Sequence, residues 1–366
     1  MPQRQKAHPV VASMTIRSRA RRLHSHGALS LLIGAFVLMH AARLHAQELE
    51  PRAYSNLPRG LNFLAVGYAH SQGGLSTDAS APLEDAHLKI DTGLFAYVRA
   101  LDLWGHSGKF DVIAPYSDLS GSAVVAGQTR ERHINGFGDP RFRLSINFYG
   151  APALSLSEYP AYKQDLIFGA SVQVSPPWGQ YDPSRAVNLG TNRWSIKPDV
   201  GFSKTCAPFT FDFTAGVTFF SRNNDYFGGQ DVDQAAIYST QANLSYDLGR
   251  GLWVAAGATY YWGGRTTVDG TERDDALSNS RFGLTVALPL DRHYSLKFNA
   301  SNGVSTRTGF RMNACTSAGS CTSRRGSALA SIACFARGSL RSCTRTSGRA
   351  AYTRSGMRCG TGFRSS

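Results

Sequence analysis

The stretch Asn135–Gly150, NGFGDPRFRLSINFYG, ends in an alternating segment. From Arg141 onward, apolar and polar residues take turns: Phe142, Leu144, Ile146 and Phe148 on one side, and Arg141, Arg143, Ser145 and Asn147 on the other. A period of two residues predicts a β-strand with one apolar and one polar face. In a soluble sandwich the apolar face would form the core. In a membrane barrel the apolar face would contact lipid, and the polar face would line a lumen.

The same two-faced pattern recurs along most of the chain. We predict eleven strands, near residues 60–70, 87–100, 108–117, 138–149, 165–176, 193–204, 208–221, 234–247, 252–263, 279–290 and 293–304. Most of these segments have ten or more residues, whereas strands of soluble proteins average about five to six. A tilted strand that crosses a bilayer needs roughly nine to eleven residues. Strand length therefore favours the membrane barrel.

The predicted connections alternate between long and short. The long ones are 71–86, 118–137, 177–192, 222–233 and 264–278, and the short ones lie near Gly105, Thr205–Ala207, Leu248–Gly251 and Asp291–Arg292. Only 150–164 is too long for the short side. Long outer loops and short periplasmic turns are typical of up-and-down outer-membrane barrels. The sequence thus predicts an all-β, transmembrane, antiparallel up-and-down barrel in the bacterial outer membrane.

The N-terminal 46 residues resemble an export signal. Basic residues precede an apolar run at 27–39, which is too short to span a membrane as a helix, and Ala46 offers a small residue before a cleavage site. A short N-terminal anchor helix is the alternative. We predict a signal peptide over 1–46, a barrel over 47–309 and a separate tail over 310–366.

The tail from residue 310 onward differs sharply in composition from the barrel. It has ten Arg and no acidic residue, and it holds five of the six cysteines. A frame change near Thr308–Phe310 is our hypothesis, with loss of the twelfth strand that an even-numbered barrel needs. The loss would leave open edges on the first and eleventh strands. A disordered basic tail or a Cys-rich metal module are alternatives, but no C-x-x-C pair supports zinc.

The polar faces of the strands should line the lumen. The candidate lumen-lining residues are Arg99, Arg141, Arg143, Lys197, Asp199, Asp212, Arg281 and Lys297. They can form a constriction that orients a solute, or they can pair across the barrel and hold its shape, because buried charges need partners. We favour pairing for most of them. Aromatic residues at strand ends, including Trp104, Tyr116, Trp253 and Trp262, suit interfacial girdles.

Other functions have little support in the sequence. The formal net charge of +14 arises at the two ends, because residues 47–309 hold 22 basic and 25 acidic residues. A body so near neutrality does not predict nucleic-acid binding. The acidic loop Asn223–Asp233 matches no EF-hand spacing. No set of histidine, serine and acid stands out as a catalytic unit. We therefore predict no enzyme activity, no cofactor and no metal.

Two motifs resemble a known family. The segment ELEPRAYSNLPRGLNFLAVGYAHSQGGL, Glu48–Leu75, and GFGDPRFR, Gly136–Arg143, are similar to the outer-membrane transporter family named for the meta-pathway of phenol degradation. The resemblance covers 47–309 and implies passive uptake of small organic molecules, aromatic ones included. Lipid and lipopolysaccharide would be the other partners, with no nucleic acid. The alternatives are a non-transporting structural or surface barrel and a secreted soluble β protein.

Overall fold

The computed structural model describes residues 50–323 except 77–83, 126–127, 186, 292 and 306–308. The expected signal peptide at 1–46 and the part of the tail beyond residue 323 lie outside the described residues. The regular structure of the described residues is β-strand, apart from one short 3-10 turn at Tyr159–Ala161. Among them, no helix is long and apolar enough to cross a membrane.

Seventeen strands follow one another along the described chain. They are β1 (Asn62–Ser76), β2 (Glu84–Leu103), β3 (His106–Val125), β4 (Gln128–Phe137), β5 (Arg141–Tyr149), β6 (Leu166–Ser175), β7 (Ser195–Cys206), β8 (Phe209–Phe220), β9 (Asn223–Tyr226), β10 (Gln230–Gln234), β11 (Ile237–Gly249), β12 (Leu252–Gly263), β13 (Thr266–Val268), β14 (Thr271–Glu272), β15 (Leu277–Pro289), β16 (Tyr294–Ser305) and β17 (Gly309–Ser323). Each of the eleven predicted strands overlaps one of these.

Twelve of the strands form a closed antiparallel ring. The order is β1, β2, β3, β5, β6, β7, β8, β11, β12, β15, β16 and β17, and β17 pairs back onto β1. The barrel is up-and-down because neighbours in the ring follow one another along the chain. A closed ring leaves no strand edge unpaired, which the hydrocarbon interior of a bilayer demands.

The two ends of the barrel differ. At one end, the turn end, the strands join through 104–105, 150–165, 207–208, 250–251 and 290–293. At the other, the loop end, the predicted loop 118–137 is mostly strand, since β3 continues to Val125 and pairs with β4. The predicted loops 222–233 and 264–278 form a second, small sheet in the order β14, β13, β10, β9.

The structure corrects the expectation that the twelfth strand is missing. β17 pairs with β1 from Asn62↔Ser323 to Ser76↔Gly309 and with β16 from Tyr294↔Cys321 to Ser301↔Ala314. The first and eleventh predicted strands, which are β1 and β16, therefore both have β17 as a hydrogen-bonded neighbour. The physical reason is that ladder hydrogen bonds use backbone groups, so a segment of unusual composition can still close a ring. The frame change itself stays a hypothesis.

The apolar strand faces point outward. Val200 is 59% exposed and Phe148 51%, while Asp212 is 2% exposed on the opposite face. Near the turn end, neighbouring rings of Phe168, Phe202 and Phe211 lie about 6 Å apart across β6, β7 and β8, at centroid distances of 6.0 and 5.9 Å. Exposed apolar faces and buried polar faces are the arrangement of a membrane barrel, whose exterior contacts lipid.

Candidate functional site: the barrel lumen

Strand register shows which predicted residues face the lumen. In an antiparallel pair, residues directly opposite each other point to the same face of the sheet. The pairs Asp111↔Arg143, Arg143↔Gln173, Gln173↔Lys197, Ser171↔Asp199, Ser203↔Asp212, Thr259↔Arg281 and Ala287↔Lys297 all belong to the polar face. Arg141, Arg143, Lys197, Asp199, Asp212, Arg281 and Lys297 therefore lie on the inward face.

Arg99 lies on the other face, and the expectation for it is wrong. Its neighbours Val98 and Ala100 pair with Asp111 and Lys109, which are buried inward-facing residues. Arg99 must then point outward, on the face of Phe95, which is 44% exposed. The cause is that both faces of β2 are largely apolar along its middle, so alternation alone could not distinguish them. Lys89 and Asp91 follow the same parity and also face outward.

Trp253 is another residue whose place differs from the expectation. It pairs with Asp247 on β11 and Ala287 on β15, and it faces inward instead of joining a girdle. The Arg52 guanidinium carbon lies 4.8 Å from the Trp253 ring centroid, and Lys297 Nζ lies 5.9 Å from it. Cations over an indole face are attracted to its ring electrons, so Trp253 is part of the lumen at the turn end.

Residues 50–61, which we call the N-terminal segment, lie inside the barrel at its turn end. The Tyr54 hydroxyl donates to Asp199 Oδ1 at 2.6 Å, and the Asn147 amide donates to the Tyr54 carbonyl at 3.0 Å. Lys109 Nζ donates to the carbonyl of Ala53. These contacts on three different strands show that the buried polar face encloses the segment. The polar face is therefore the interior.

Charged groups hold the start of the N-terminal segment against the barrel wall. Arg143 Nη2 contacts Glu50 Oε2 at 2.6 Å, and Arg143 Nε donates to Asp111 Oδ2 at 2.7 Å. The Arg52 N–H donates to Asp212 Oδ2 at 3.0 Å. Buried charges are stabilised only by partners of this kind. Several predicted lumen charges thus pair with the chain's own N-terminal segment.

The Tyr54 ring needs two glycines for its position. Gly169 on β6 and Gly201 on β7 are directly paired. A Cβ at Gly169 would lie 2.2 Å from Tyr54 Cδ1, and one at Gly201 would lie 2.5 Å from Tyr54 Cε2. Both inward-facing positions must therefore lack a side chain. The paired glycines form a slot in the wall that accepts one aromatic ring.

The wall formed by β1 and β2 has a different character from the rest of the lumen. Its inward side chains are apolar or small, and we call it the apolar wall: Phe63, Ala65, Ala69, Ile90, Leu94, Ala96 and Val98. The N-terminal segment contacts it through backbone hydrogen bonds, Gly60 N–H to Ala100 O at 3.0 Å and Ala100 N–H to Leu61 O at 2.9 Å. The lumen thus has an apolar wall facing strands with charged inward side chains.

The connection between β6 and β7, at the loop end, is tied to the GFGDPRFR motif. Asp139 accepts hydrogen bonds from the Gly179 N–H at 2.8 Å and from the Thr191 N–H and hydroxyl at 2.8 and 2.7 Å. Val187 and Leu189 pack against a buried apolar cluster of β2–β4. The motif therefore has a structural role in anchoring this loop.

One carboxylate of this loop, Asp182, is stabilised by hydrogen bonds from a residue close to it in the chain. The Ser184 hydroxyl and N–H donate to Asp182 at 2.7 and 2.9 Å. These two hydrogen bonds stabilise the carboxylate and lower the pKa of Asp182.

The acidic loop Asn223–Asp233 forms β9 and β10. Arg222 Nη2 contacts Asp233 Oδ2 at 2.6 Å, and Arg222 Nη1 contacts Asp231 Oδ2 at 3.8 Å. Across the part of the chain that the structure describes, no three His, Cys, Asp or Glu residues converge in a way that could hold a metal ion. These carboxylates serve an ion pair at the surface.

The sequence reasoning missed the N-terminal segment as part of the lumen, together with Lys109 and Asp111. The latter two carried a usable signal, because GKFDVI places both on one face of a predicted strand. The segment itself has no regular pattern, and only its tertiary contacts reveal its place.

Comparisons with known proteins agree with this geometry. The chain resembles the COG4313 outer membrane channel of Pseudomonas putida F1 with 20% identity, over 75% of this chain and 100% of that one, at a TM-score of 0.63. It also resembles the transport unit of the Escherichia coli autotransporter AIDA-I (9% identity, 76% and 93% covered, TM-score 0.43) and the TodX monoaromatic hydrocarbon channel (10% identity, 75% and 91% covered, TM-score 0.39). None of the curated protein sequences compared with the chain matches it.

The first of these likenesses shows the fold, that of a bacterial outer-membrane β-barrel. The family model described as "Putative MetA-pathway of phenol degradation" matches residues 70–316. The match covers well over half of the chain and continues beyond Gly309 into β17. The chain belongs to the family described as the MetA-pathway of phenol degradation.

Proposed function

We propose that this protein is a passive outer-membrane channel for small organic molecules, aromatic ones included. The observation that supports this most directly is the two-sided lumen. A solute with an apolar ring and a polar group would meet side chains of matching polarity on opposite walls, and apolar contact lowers the cost of leaving water. The fold shared with a bacterial outer membrane channel and the description of the family support the same proposal.

The N-terminal segment limits how such a channel works. It fills the turn end of the lumen and is held there by Tyr54, Arg52 and Glu50. Passage through that end therefore requires the segment to move. We propose that the lumen charges Arg141, Arg143, Lys197, Asp199, Asp212, Arg281 and Lys297 have two roles, with some anchoring the segment and others facing the solute.

A structural barrel that transports nothing is the second candidate. The same filled turn end favours it, because a permanently fixed segment would block passage. The proposal includes no catalytic step. Of the histidines on β1 and β4, His70 contacts Asp91 Oδ1 at 2.7 Å and His133 contacts Asp118 Oδ1 at 3.1 Å. Both pairs lie on the exterior face, away from the lumen.

Liposome swelling separates the two candidates. The full chain, reconstituted into liposomes, should admit arabinose and phenyl glucoside faster than protein-free liposomes do. Planar-bilayer recordings of the same preparation should show discrete conductance steps. A preparation that inserts fully, as judged by heat-modifiable gel migration, and shows neither swelling nor conductance would support the structural barrel instead.

We also propose how the exterior meets the membrane. Two neighbouring cross-strand rows lie on the exterior face at the loop end. The first consists of Tyr68, Gly93, Tyr116 and Phe137, and the second, further from the turn end, consists of His70, Asp91, Asp118 and Asn135. Aromatic rings suit the lipid–water interface, so the polar row and Lys89 would contact lipopolysaccharide headgroups. Native mass spectrometry should find less bound lipopolysaccharide on Lys89→Glu and His133→Glu than on the turn-end control Arg250→Glu. Equal amounts on all three would contradict this contact.

A further inference from the structure

Arg281 is a buried cation of the lumen whose charge has no partner among the described residues. It lies on β15, faces inward and is 6% exposed. Its Nη1 atom has no hydrogen-bond partner. Three of the described inward carboxylates contact other side chains: Asp111 contacts Arg143, Asp199 contacts Tyr54, and Asp247 contacts Arg52. Asp212 Oδ2 accepts the backbone N–H of Arg52, and Asp212 Oδ1 is buried without a hydrogen-bond partner.

The surroundings of Arg281 contain further unused polar atoms. Thr259 lies directly opposite Arg281 on β12, and Asn243 lies one row nearer the turn end on β11. Thr259 Oγ1 and Asn243 Oδ1 are also buried without hydrogen-bond partners. Buried polar groups are almost always hydrogen-bonded. Several buried polar atoms without hydrogen-bond partners in one place therefore need an explanation, such as a bound ligand. In the row of Asn243, the inward-facing pair Gly257↔Gly283 has no side chains.

The location of this group relative to the N-terminal segment matters. Arg281 is six residues from Ala287, which pairs with Trp253 at the level of Arg52. Gln241, which lies opposite Thr259 in the same cross-strand row, lines a small cavity together with Glu50 and Tyr54 of the segment. The row that contains Arg281 therefore borders the cavity lined by the N-terminal segment.

The chemistry of the ligand follows from these features. A guanidinium binds carboxylates through parallel N–H donors, and a single unpaired cation matches a single negative charge. The apolar wall of β1 and β2 begins three strands beyond β15 in the ring, after β16 and β17. We propose that Arg281, with the Thr259 hydroxyl opposite it as a further donor, is a binding subsite for the carboxylate of a small organic anion, whose apolar part lies toward the apolar wall. This subsite deepens the proposed channel function and rests on it.

Binding and permeation of benzoate test the subsite on the full chain. Titration calorimetry of the detergent-solubilised protein should show benzoate binding that weakens at least fivefold in Arg281→Gln and is largely retained in Arg281→Lys. Bi-ionic potentials in potassium benzoate should show the benzoate-to-potassium permeability ratio falling by a similar factor in Arg281→Gln. Arg222→Gln, which removes a paired loop cation, is the control and should match the unaltered chain.

A second variant keeps the test informative if Arg281→Gln fails to fold. Thr259→Asp supplies the missing countercharge beside Arg281, so it should abolish benzoate binding without loss of folded protein. Equal benzoate affinity in the unaltered chain, Arg281→Gln and Thr259→Asp would overturn the subsite and leave water as the partner of these atoms. Failure of the channel proposal is distinguishable, because it would abolish arabinose swelling for every variant while calorimetric binding persisted.

Discussion

The two walls of the lumen hold the N-terminal segment in different ways. Strands β5–β8 bind it through side chains, among them Arg143, Asp199 and Asp212. The middle of β2 contacts it through the backbone of Ala100. Strand β2 also pairs with the segment through Asp102, which lies 3.0 Å from Arg59 at the turn end. The polar wall therefore makes most of the side-chain contacts with the segment, and the apolar wall leaves a surface on which an apolar solute can lie. The same lumen can thus hold a segment that closes its turn end and provide an apolar surface for a solute.

The largest expected effect concerns Arg143, which pairs with Glu50 and with the buried Asp111. Arg143→Ala leaves the buried Asp111 without the guanidinium that contacts it, which should lower the free energy of unfolding by about 3–5 kcal/mol. Urea titration of the protein folded into lipid vesicles measures this. The double variant Arg143→Ala/Asp111→Asn should recover part of the loss, and a double variant that is no more stable than the single one would contradict the pairing.

The next effect compares adjacent residues of β2 on the two faces. Phe95→Lys places a charge against lipid and should cost about 2–4 kcal/mol, whereas Leu94→Lys faces the hydrated lumen and should cost less. Vesicle unfolding titrations compare the two. In a background with native cysteines changed to Ser, Leu94→Cys should react with a membrane-impermeant maleimide and Phe95→Cys should not. The reverse labelling pattern would overturn the face assignment of the apolar wall.

A smaller effect is expected at the glycine slot. Gly169→Ala places a methyl group 2.2 Å from Tyr54 Cδ1, and such overpacking costs about 1–3 kcal/mol. Because displacing the Tyr54 ring releases the segment, single-channel conductance should rise several-fold. Gly93→Ala is the matched control, since its Cβ would meet only the Tyr116 carbonyl oxygen at 3.8 Å. Equal conductance in the two variants would show that Tyr54 does not hold the segment in place.

The smallest effect is expected at Arg99, on the exterior face. Arg99→Gln should change the free energy of unfolding by no more than about 0.5 kcal/mol and leave conductance and ion selectivity unchanged. The same substitution at Arg281 should change ion selectivity. A selectivity change in the Arg99 variant, measured as a reversal potential, would place that side chain in the lumen after all.

The sequence alone determined the fold class, the positions of eleven strands and the outward direction of the apolar faces on β5–β8. Residue alternation is a local property that can be read from the sequence. A strand with one charged face must turn that face toward the lumen of a membrane barrel, because lipid contacts the other face. The inward placement of Arg141, Arg143 and Arg281 follows from the same pattern. On β1 and β2 both faces are apolar in the middle, which is why Arg99 was assigned to the wrong face.

Only the tertiary structure decided the rest. The place of the N-terminal segment depends on Tyr54 meeting Gly169, Gly201 and Asp199, which are more than a hundred residues away in the chain. Closure by β17 depends on two distant edges that offer unpaired backbone groups, whatever the side chains between them. Contacts between residues so far apart in the chain produce no periodic pattern in the sequence, so they could not be predicted from it.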